Sequence, residues 1–402
     1  MIDMNVLAFT SFFPRKFLFC FLLAGLIFQS PSYSQTTPAA IPSTSKPVDI
    51  VFCIDLSAST NGILDRFRDH LWDYVHLFDQ CAPAANFRIG FVAFSRPSYR
   101  KENNYVKVIQ DLTDDFESLS HELLGIKSTI EKGDQFVGAA LTVCMKNISW
   151  SKDSNALKIL FIVGNGDATT GGLSYEKAAE DLAAKGVIVN SVYCIETASA
   201  FEKRGWEKIA EIGNGKFNAI QIKNVYYESL HGFDLDKFHS LNRKFNDTYL
   251  YYGKGGFTKW HLQCTEDDHM YTCNTEGYRY RTEFKMSDHY QQKNADWDLI
   301  DLHYKDPARL YQLDRLTMPD TLKGMPMEDI RAFVIFNKYQ RKLMMKKMKQ
   351  MLDDKDRKDK EEGRIFQKTM NTLDIISINI IRDLLTQRGF EFNDDIASRL
   401  KN

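Results

Sequence analysis

The sequence predicts an α/β fold: a doubly wound, mostly parallel six-stranded sheet, then a small β-containing region and a C-terminal helical hairpin. Three observations carry this. From Val48 to about Ile222, apolar runs alternate with stretches of helical periodicity, as strand–helix units do. Leu157-Lys-Ile-Leu-Phe-Ile-Val163 and Val187-Ile-Val-Asn-Ser-Val-Tyr-Cys194 are nearly continuous apolar runs, which suit parallel strands buried on both faces. Gly186, Gly213 and Gly215 fall where the intervening helices should stop.

Taken in order, the chain begins with a targeting segment. Arg15-Lys16 precede a short apolar run, Phe17–Phe28, and small residues at Ser30–Ser34 then suit cleavage before Gln35. The run is shorter than the roughly 20 residues a membrane span needs. Residues 1–34 therefore read as a signal peptide, and the destination as exported: periplasm, outer cell surface or secreted. Cys20 lies inside the apolar run with no small residue just before it, which argues against a lipoprotein. No later stretch is long and apolar enough to span, so no transmembrane segment is expected after signal removal. Residues 35–47, rich in Thr, Pro, Ala and Ser, read as a linker.

Residues 48–223 hold the sheet. Its strands are expected at Val48–Asp55, Arg88–Ser95, Val106–Leu112, Leu157–Gly164, Val187–Cys194 and Phe217–Gln221. Its helices are expected at Ile63–Phe78, Phe116–Ile126, Val137–Ile148, Tyr175–Lys185 and Phe201–Ile212. Residues 224–318 read as a β-rich extension, because Asn246–Gly253 and Gly277–Phe284 are aromatic and β-leaning. Residues 319–402 read as helical. One helix runs from Met327 to about Asp359, with Met344, Met345, Met348 and Met351 among many lysines and arginines. The simplest reading is a solvated helix whose Met/Leu stripe packs on a neighbour; the other is a partner-docking helix. A second helix, about Ile365–Gln387, carries Leu373, Ile376, Ile380, Ile381 and Leu384 and is expected to pair with the first.

The strongest local signal is Asp55-Leu56-Ser57-Ala58-Ser59, directly after the first strand. It sets one carboxylate and two hydroxyls at the carboxyl edge of the sheet, where doubly wound folds bind ligands. These are hard oxygen donors of the kind Mg²⁺ takes. The pattern resembles the metal-ion-dependent adhesion site (MIDAS) of the von Willebrand factor A (vWA) domain. Arg88–Ser95, Gly138-Ala-Ala-Leu141 and Ile159–Gly166 fall where that family has its second strand, the helix after its second metal loop, and its fourth strand with the third loop. The resemblance implies a doubly wound recognition domain that binds proteins through a cation held by three loops. It also implies a Thr in the second loop and an Asp in the third. This chain departs at both. Gln135 stands in the second, within Gly133-Asp134-Gln135-Phe136-Val137-Gly138, and Asn165 in the third, within Gly164-Asn165-Gly166. Asp134 and Asp167 lie close enough in sequence to restore a charge. The candidate metal set is therefore Asp55, Ser57, Ser59, Gln135, Asn165 and Asp167, holding Mg²⁺ weakly because a carboxylate is missing. Equally, Asp55 can simply hold the loops, with Ser57 and Ser59 as turn and cap residues. Asn246-Asp-Thr-Tyr249, Trp297-Asp-Leu-Ile-Asp301 and Leu322-Lys-Gly-Met-Pro326 are similar to the C-terminal extension of a group of exported bacterial vWA proteins.

Composition excludes several functions. With 402 residues, 44% of them hydrophobic, and a formal net charge of −1, the chain is globular and nothing global favours nucleic acid. No Gly-x-Ser-x-Gly, phosphate-loop or His-Glu-x-x-His pattern occurs, so no enzyme is indicated. The expected function is non-enzymatic binding of a protein partner, one offering a carboxylate to the cation. The alternative is a structural envelope protein that assembles through its C-terminal helices. Of the cysteines after the leader, Cys53, Cys144 and Cys194 read as small buried hydrophobes. Cys264 and Cys273 flank a polar, hairpin-like stretch and are the best disulfide candidates. His261, Cys264, His269 and Cys273 crowd one window, but their spacing matches no zinc motif. His70 and His76 lie six residues apart on one expected helix, which is not ligand spacing.

Overall fold

The computed structural model describes residues 46–392 apart from 128, 197–198, 223–231, 292 and 363–371. The expected signal peptide, most of the linker and the first part of the second C-terminal helix lie outside the described residues.

The sheet has six strands: β1 Pro47–Asp55, β2 Asn86–Phe94, β3 Val106–Thr113, β4 Leu157–Gly164, β5 Val187–Ile195 and β6 Asn214–Gln221. Their spatial order is β3-β2-β1-β4-β5-β6. All neighbours run parallel except the edge strand β3, which is antiparallel to β2. β1 is paired on both sides, with Ile50 opposite Ile89 and Ile159. The order reverses at β1, so the crevice past its carboxyl end is the expected ligand position of such a sheet.

The continuous apolar runs are explained by burial on both faces. Ile50, Phe52 and Ile54 enter one core, with Phe67 and Tyr74, while Val51 and Cys53 enter the other, with Val137 and Leu141. The first face is covered by α1 (Ile63–Asp69), α2 (Leu71–Asp79) and α3 (Phe116–Leu124); the second by α4 (Val137–Asn147), α5 (Tyr175–Ala184) and α6 (Ala200–Ile212). A single helix was expected over Ile63–Phe78. It breaks at His70, whose φ and ψ of −106° and 10° leave helical geometry and whose Nδ1 lies 2.8 Å from Asp73 Oδ2.

The extension is helical, which corrects the β-rich expectation for 224–318. Its elements are α7 (Leu235–Asn246), α8 (Gly256–Cys273), α9 (Thr275–Met286), α10 (Asp288–Gln291), α11 (Leu299–Lys305), α12 (Asp320–Lys323), α13 (Met327–Glu361) and α14 (Leu373–Gln387). Among its described residues up to 318, the β pairing is one isolated bridge, Tyr251 with Asp298. The reason lies in α9. Its alternation of aromatic and charged residues mimics a strand, yet Tyr278, Arg279, Tyr280, Arg281, Phe284 and Lys285 are all buried. Each cation meets a carboxylate: Arg279 meets Glu283 and Asp356, Arg281 meets Glu117 and Asp267, and Lys285 meets Asp267. A helix buried on every side shows no 3.6-residue stripe.

Two further expectations are corrected. Cys264 and Cys273 lie on the same helix, α8, half a turn out of phase and separated by about 13 Å of rise. A disulfide between them is impossible, and both are free thiols. Nor do α13 and α14 form a hairpin with each other as main partners. α14 packs on α1, α2, β4 and β6, while α13 packs along α7 and α11. The expected Met stripe is real: Met344, Met348 and Leu352 are buried in the core. No helix among the described residues is long and apolar enough to cross a membrane.

Candidate functional site

Three loops meet at the carboxyl edge of the sheet. The first follows β1. Asp55 ends that strand fully buried, and its Oδ1 accepts the Ser57 N–H at 2.8 Å. Thr60 Oγ1 donates to the carbonyls of Asp55 and Ser57, at 2.7 and 3.1 Å, which tightens the turn that presents Ser57 and Ser59. The second loop docks alongside: Ala58 N–H donates to Glu131 O at 2.8 Å. Glu131 is itself held by Ser98, through N–H at 2.9 Å and Oγ at 2.7 Å. The third loop follows β4. Trp206 Nε1 donates to Gly166 O at 3.0 Å, and Gly166 N–H donates to Glu202 Oε2 at 3.2 Å, so α6 fixes it from behind.

The side chains then form one chain of contacts. Ser57 Oγ and Ser59 Oγ are 2.9 Å apart, and Ser59 Oγ donates to Asn165 Oδ1 at 2.8 Å. Gln135 Nε2 lies 3.4 Å from each serine hydroxyl. Two glycines make the fit. A Cβ at Gly164 would stand 2.7 Å from Asp55 Cβ. Gly166 has φ +82°, and a Cβ there would stand 2.7 Å from Gln135 Oε1. Larger residues at either position would push Asp55 or Gln135 out of place.

Five of the six expected residues therefore converge: Asp55, Ser57, Ser59, Gln135 and Asn165. Asp167 does not join them. Its Oδ1 accepts from Thr169 N–H and Oγ1 at 2.9 and 2.7 Å, an Asx turn within its own loop. Asp134 is exposed. Asp167 therefore does not replace the missing carboxylate in this geometry.

The electrostatics centre on Asp55. Its Oδ2 is buried and makes no hydrogen bond. Burial pushes its carboxyl up to about 6, while donors on Ser57, Ser95 and Asn165 pull the other way. Ser95 is the residue that the sequence reading missed. It is fully buried beside Asp55, where its hydroxyl favours the charged carboxyl, and its φ of +69° is a left-handed conformation uncommon for serine. Only its place directly after a strand hinted at this.

The fold and site define a class: a doubly wound domain with a three-loop polar rim of MIDAS type. Residues 49–230 match the family model of the von Willebrand factor type A domain, and this part of the chain is a vWA domain. Among solved structures, the chain is similar to an aerotolerance-related membrane protein from Bacteroides fragilis NCTC 9343, at 17% identity over 43% of this chain and 92% of that one, with a TM-score of 0.32. It is also similar to proximal thread matrix protein 1 from the mussel byssus, solved with a zinc-occupied MIDAS motif, at 17% identity over 45% and 43% of the two chains, with a TM-score of 0.36. A third is the pilus adhesin SpaC from Lactobacillus rhamnosus GG, at 12% identity over 44% and 28%, with a TM-score of 0.34. Comparison with curated proteins gives no match.

Proposed function

We propose that the chain is an exported, non-enzymatic binding protein whose vWA rim takes a protein partner, with a weakly held Mg²⁺ between them. The observation that carries this is Asp55 Oδ2: a buried carboxylate oxygen without a hydrogen bond, inside a cluster of oxygen-bearing side chains from three loops. The residues fit such an ion. Asp55, Ser57, Ser59 and Asn165 offer only hard oxygens, the donors Mg²⁺ prefers over softer ligands. One carboxylate in place of two makes the affinity low. Gln135 lies against both serines and must swing aside for their oxygens to turn to an ion. A carboxylate from the partner would supply the absent charge. Beside the rim, a depression lined by Ser57, Asn61, Asp65, Lys127 and Ile130, with Arg96 buried in its wall, adds mixed charged and apolar surface that a partner segment could cover.

A second reading has its own observation. The Gln135 amide already donates to both serines, so most of the cluster is satisfied without metal. On that reading the rim is inert and the protein is a scaffold assembling through its C-terminal helices. Calorimetric titration of the full chain with Mg²⁺ or Mn²⁺ separates the two. Saturable heat that vanishes in Asp55→Ala supports the metal-dependent rim; no heat in the unmodified protein leaves the scaffold. Export is checked by fractionating cells that express the full chain and sequencing the mature N-terminus, expected at Gln35.

A further inference from the structure

We propose a second metal site, separate from the rim, in which Asp69, His269 and Cys273 hold a divalent cation of the Zn²⁺ class. Asp69 is the last residue of α1. His269 and Cys273 are four residues apart on α8, a spacing that places both on one helix face. One ligand atom from each residue lies within 4.8 Å of the others. Tetrahedral zinc, with bonds of roughly 2.0–2.3 Å, holds its ligands about 3.3–3.7 Å apart, so side-chain adjustments of about an ångström complete the set.

Three features favour a site over a chance cluster. First, the meeting of α1 with α8 is held by more than these three side chains, among which the Cys273 thiol already contacts the Asp69 carboxylate. Asn274 Nδ2 donates to Asp69 O at 2.7 Å in the buried interior, which fixes one helix end against the other. Second, His269 Nε2 is buried and makes no hydrogen bond. A buried ring nitrogen without a partner is costly, and coordination would satisfy it. Third, the donors are nitrogen, sulfur and oxygen. That mixture selects zinc over magnesium, so the ion differs from the one proposed at the rim. Binding converts the Cys273 S–H to a thiolate, with its proton released to solvent. Three protein ligands leave the fourth position to water. The ion would clamp the first long excursion of the vWA domain to the helical extension.

The crowded His261–Cys273 window is thereby divided. His261 is exposed and stacks on Phe257, and Cys264 lies on the opposite face of α8 from Cys273. Only its second half takes part, and its third ligand comes from a residue about two hundred positions earlier in the chain.

Co²⁺ titration of the full chain tests this. One equivalent should produce a thiolate-to-metal charge-transfer absorption that Zn²⁺ displaces. The band should vanish in Cys273→Ser, require at least tenfold more Co²⁺ in His269→Gln, and persist in Asp55→Ala and Cys264→Ser. Absence of the band in folded unmodified protein, or its survival in Cys273→Ser, overturns the site. A measurement on the unmodified protein covers a variant that fails to fold. Zn²⁺ should slow alkylation of Cys273 at least tenfold, read by peptide mapping, while leaving Cys264 unchanged; an unaltered Cys273 rate overturns the proposal equally.

Discussion

Asp55 and Asp267 are both buried carboxylates, and the fold treats them in opposite ways. Around Asp267 it supplies everything. Arg281 Nε donates to Oδ1 at 2.7 Å; Lys285 Nζ, Asn246 Nδ2 and Asn242 Nδ2 donate to Oδ2 at 2.5, 2.6 and 2.9 Å. Burial alone would push this carboxyl up, but Lys285 and Arg281 hold it below its ordinary value. Burial pushes the Lys285 ammonium down, and Asp267 pulls it back. Around Asp55 no cation stands, one oxygen is left over, and burial dominates. A buried charge that the protein neutralises itself is architecture. One left a partner short is where an outside group belongs.

The sharpest way to break this contrast is Asp267→Ala. It leaves Lys285 buried with asparagine oxygens and no anion of its own, since Glu117 is engaged by Arg281. Removing one member of such a pair typically costs about 3–5 kcal/mol. Urea denaturation of the full chain at pH 7 should show a loss of that size. A loss under about 1 kcal/mol would mean the network is not structural. The pH dependence has a definite sign. A depressed carboxyl stabilises above its unfolded value and loses that contribution as pH falls through its folded value. The variant should therefore be relatively least impaired in acid.

Asp55→Asn should go the other way. Its carboxyl is raised from 3.8 to about 6, so ionisation costs stability as pH rises through about 6, and nothing is lost below about 4. In chelator at pH 8 the variant should be about 2–3 kcal/mol more stable than the unmodified protein, and near parity at pH 4. Parity at pH 8 would show that Asp55 is compensated after all. With saturating Mg²⁺ the gain should shrink, because only the carboxylate form profits from the ion.

The same contrast explains what could be read from the sequence. The sheet was legible because β1, β4 and β5 announce two-sided burial as nearly continuous apolar runs, and the Asp55 loop was legible because its three ligand candidates are neighbours in the chain. Gln135 and Asn165 could be placed only by family spacing. That spacing found the right loops but not the orientation of Gln135 across the serines, and it could not show Asp167 turning to Thr169. The extension was misread for a physical reason. Arg279, Arg281 and Lys285 would face solvent in an alternating strand, yet they are interior because Glu117, Asp267 and Asp356 arrive from other segments and Glu283 from the next turn of the same helix. Hydrophobic periodicity assumes that charge points outward, and a buried ionic network defeats that assumption.

Gln135→Thr makes the smallest change and bears most directly on whether the rim is a site or a brace. Both contacts of its amide to the serines, at 3.4 Å, are at the long end for hydrogen bonds. Their loss should lower stability by under about 1 kcal/mol. Yet the same contacts compete with any ion for the serine oxygens, and the shorter threonine hydroxyl removes that competition. If each contact is worth about 0.5 kcal/mol, Mg²⁺ should bind about fivefold tighter in the variant. The two readouts move independently, and this makes the test decisive. Tighter binding with little loss of stability identifies Gln135 as a side chain lying across a working cation site. A stability loss above about 2 kcal/mol with no gain in affinity identifies it as the brace of an inert rim.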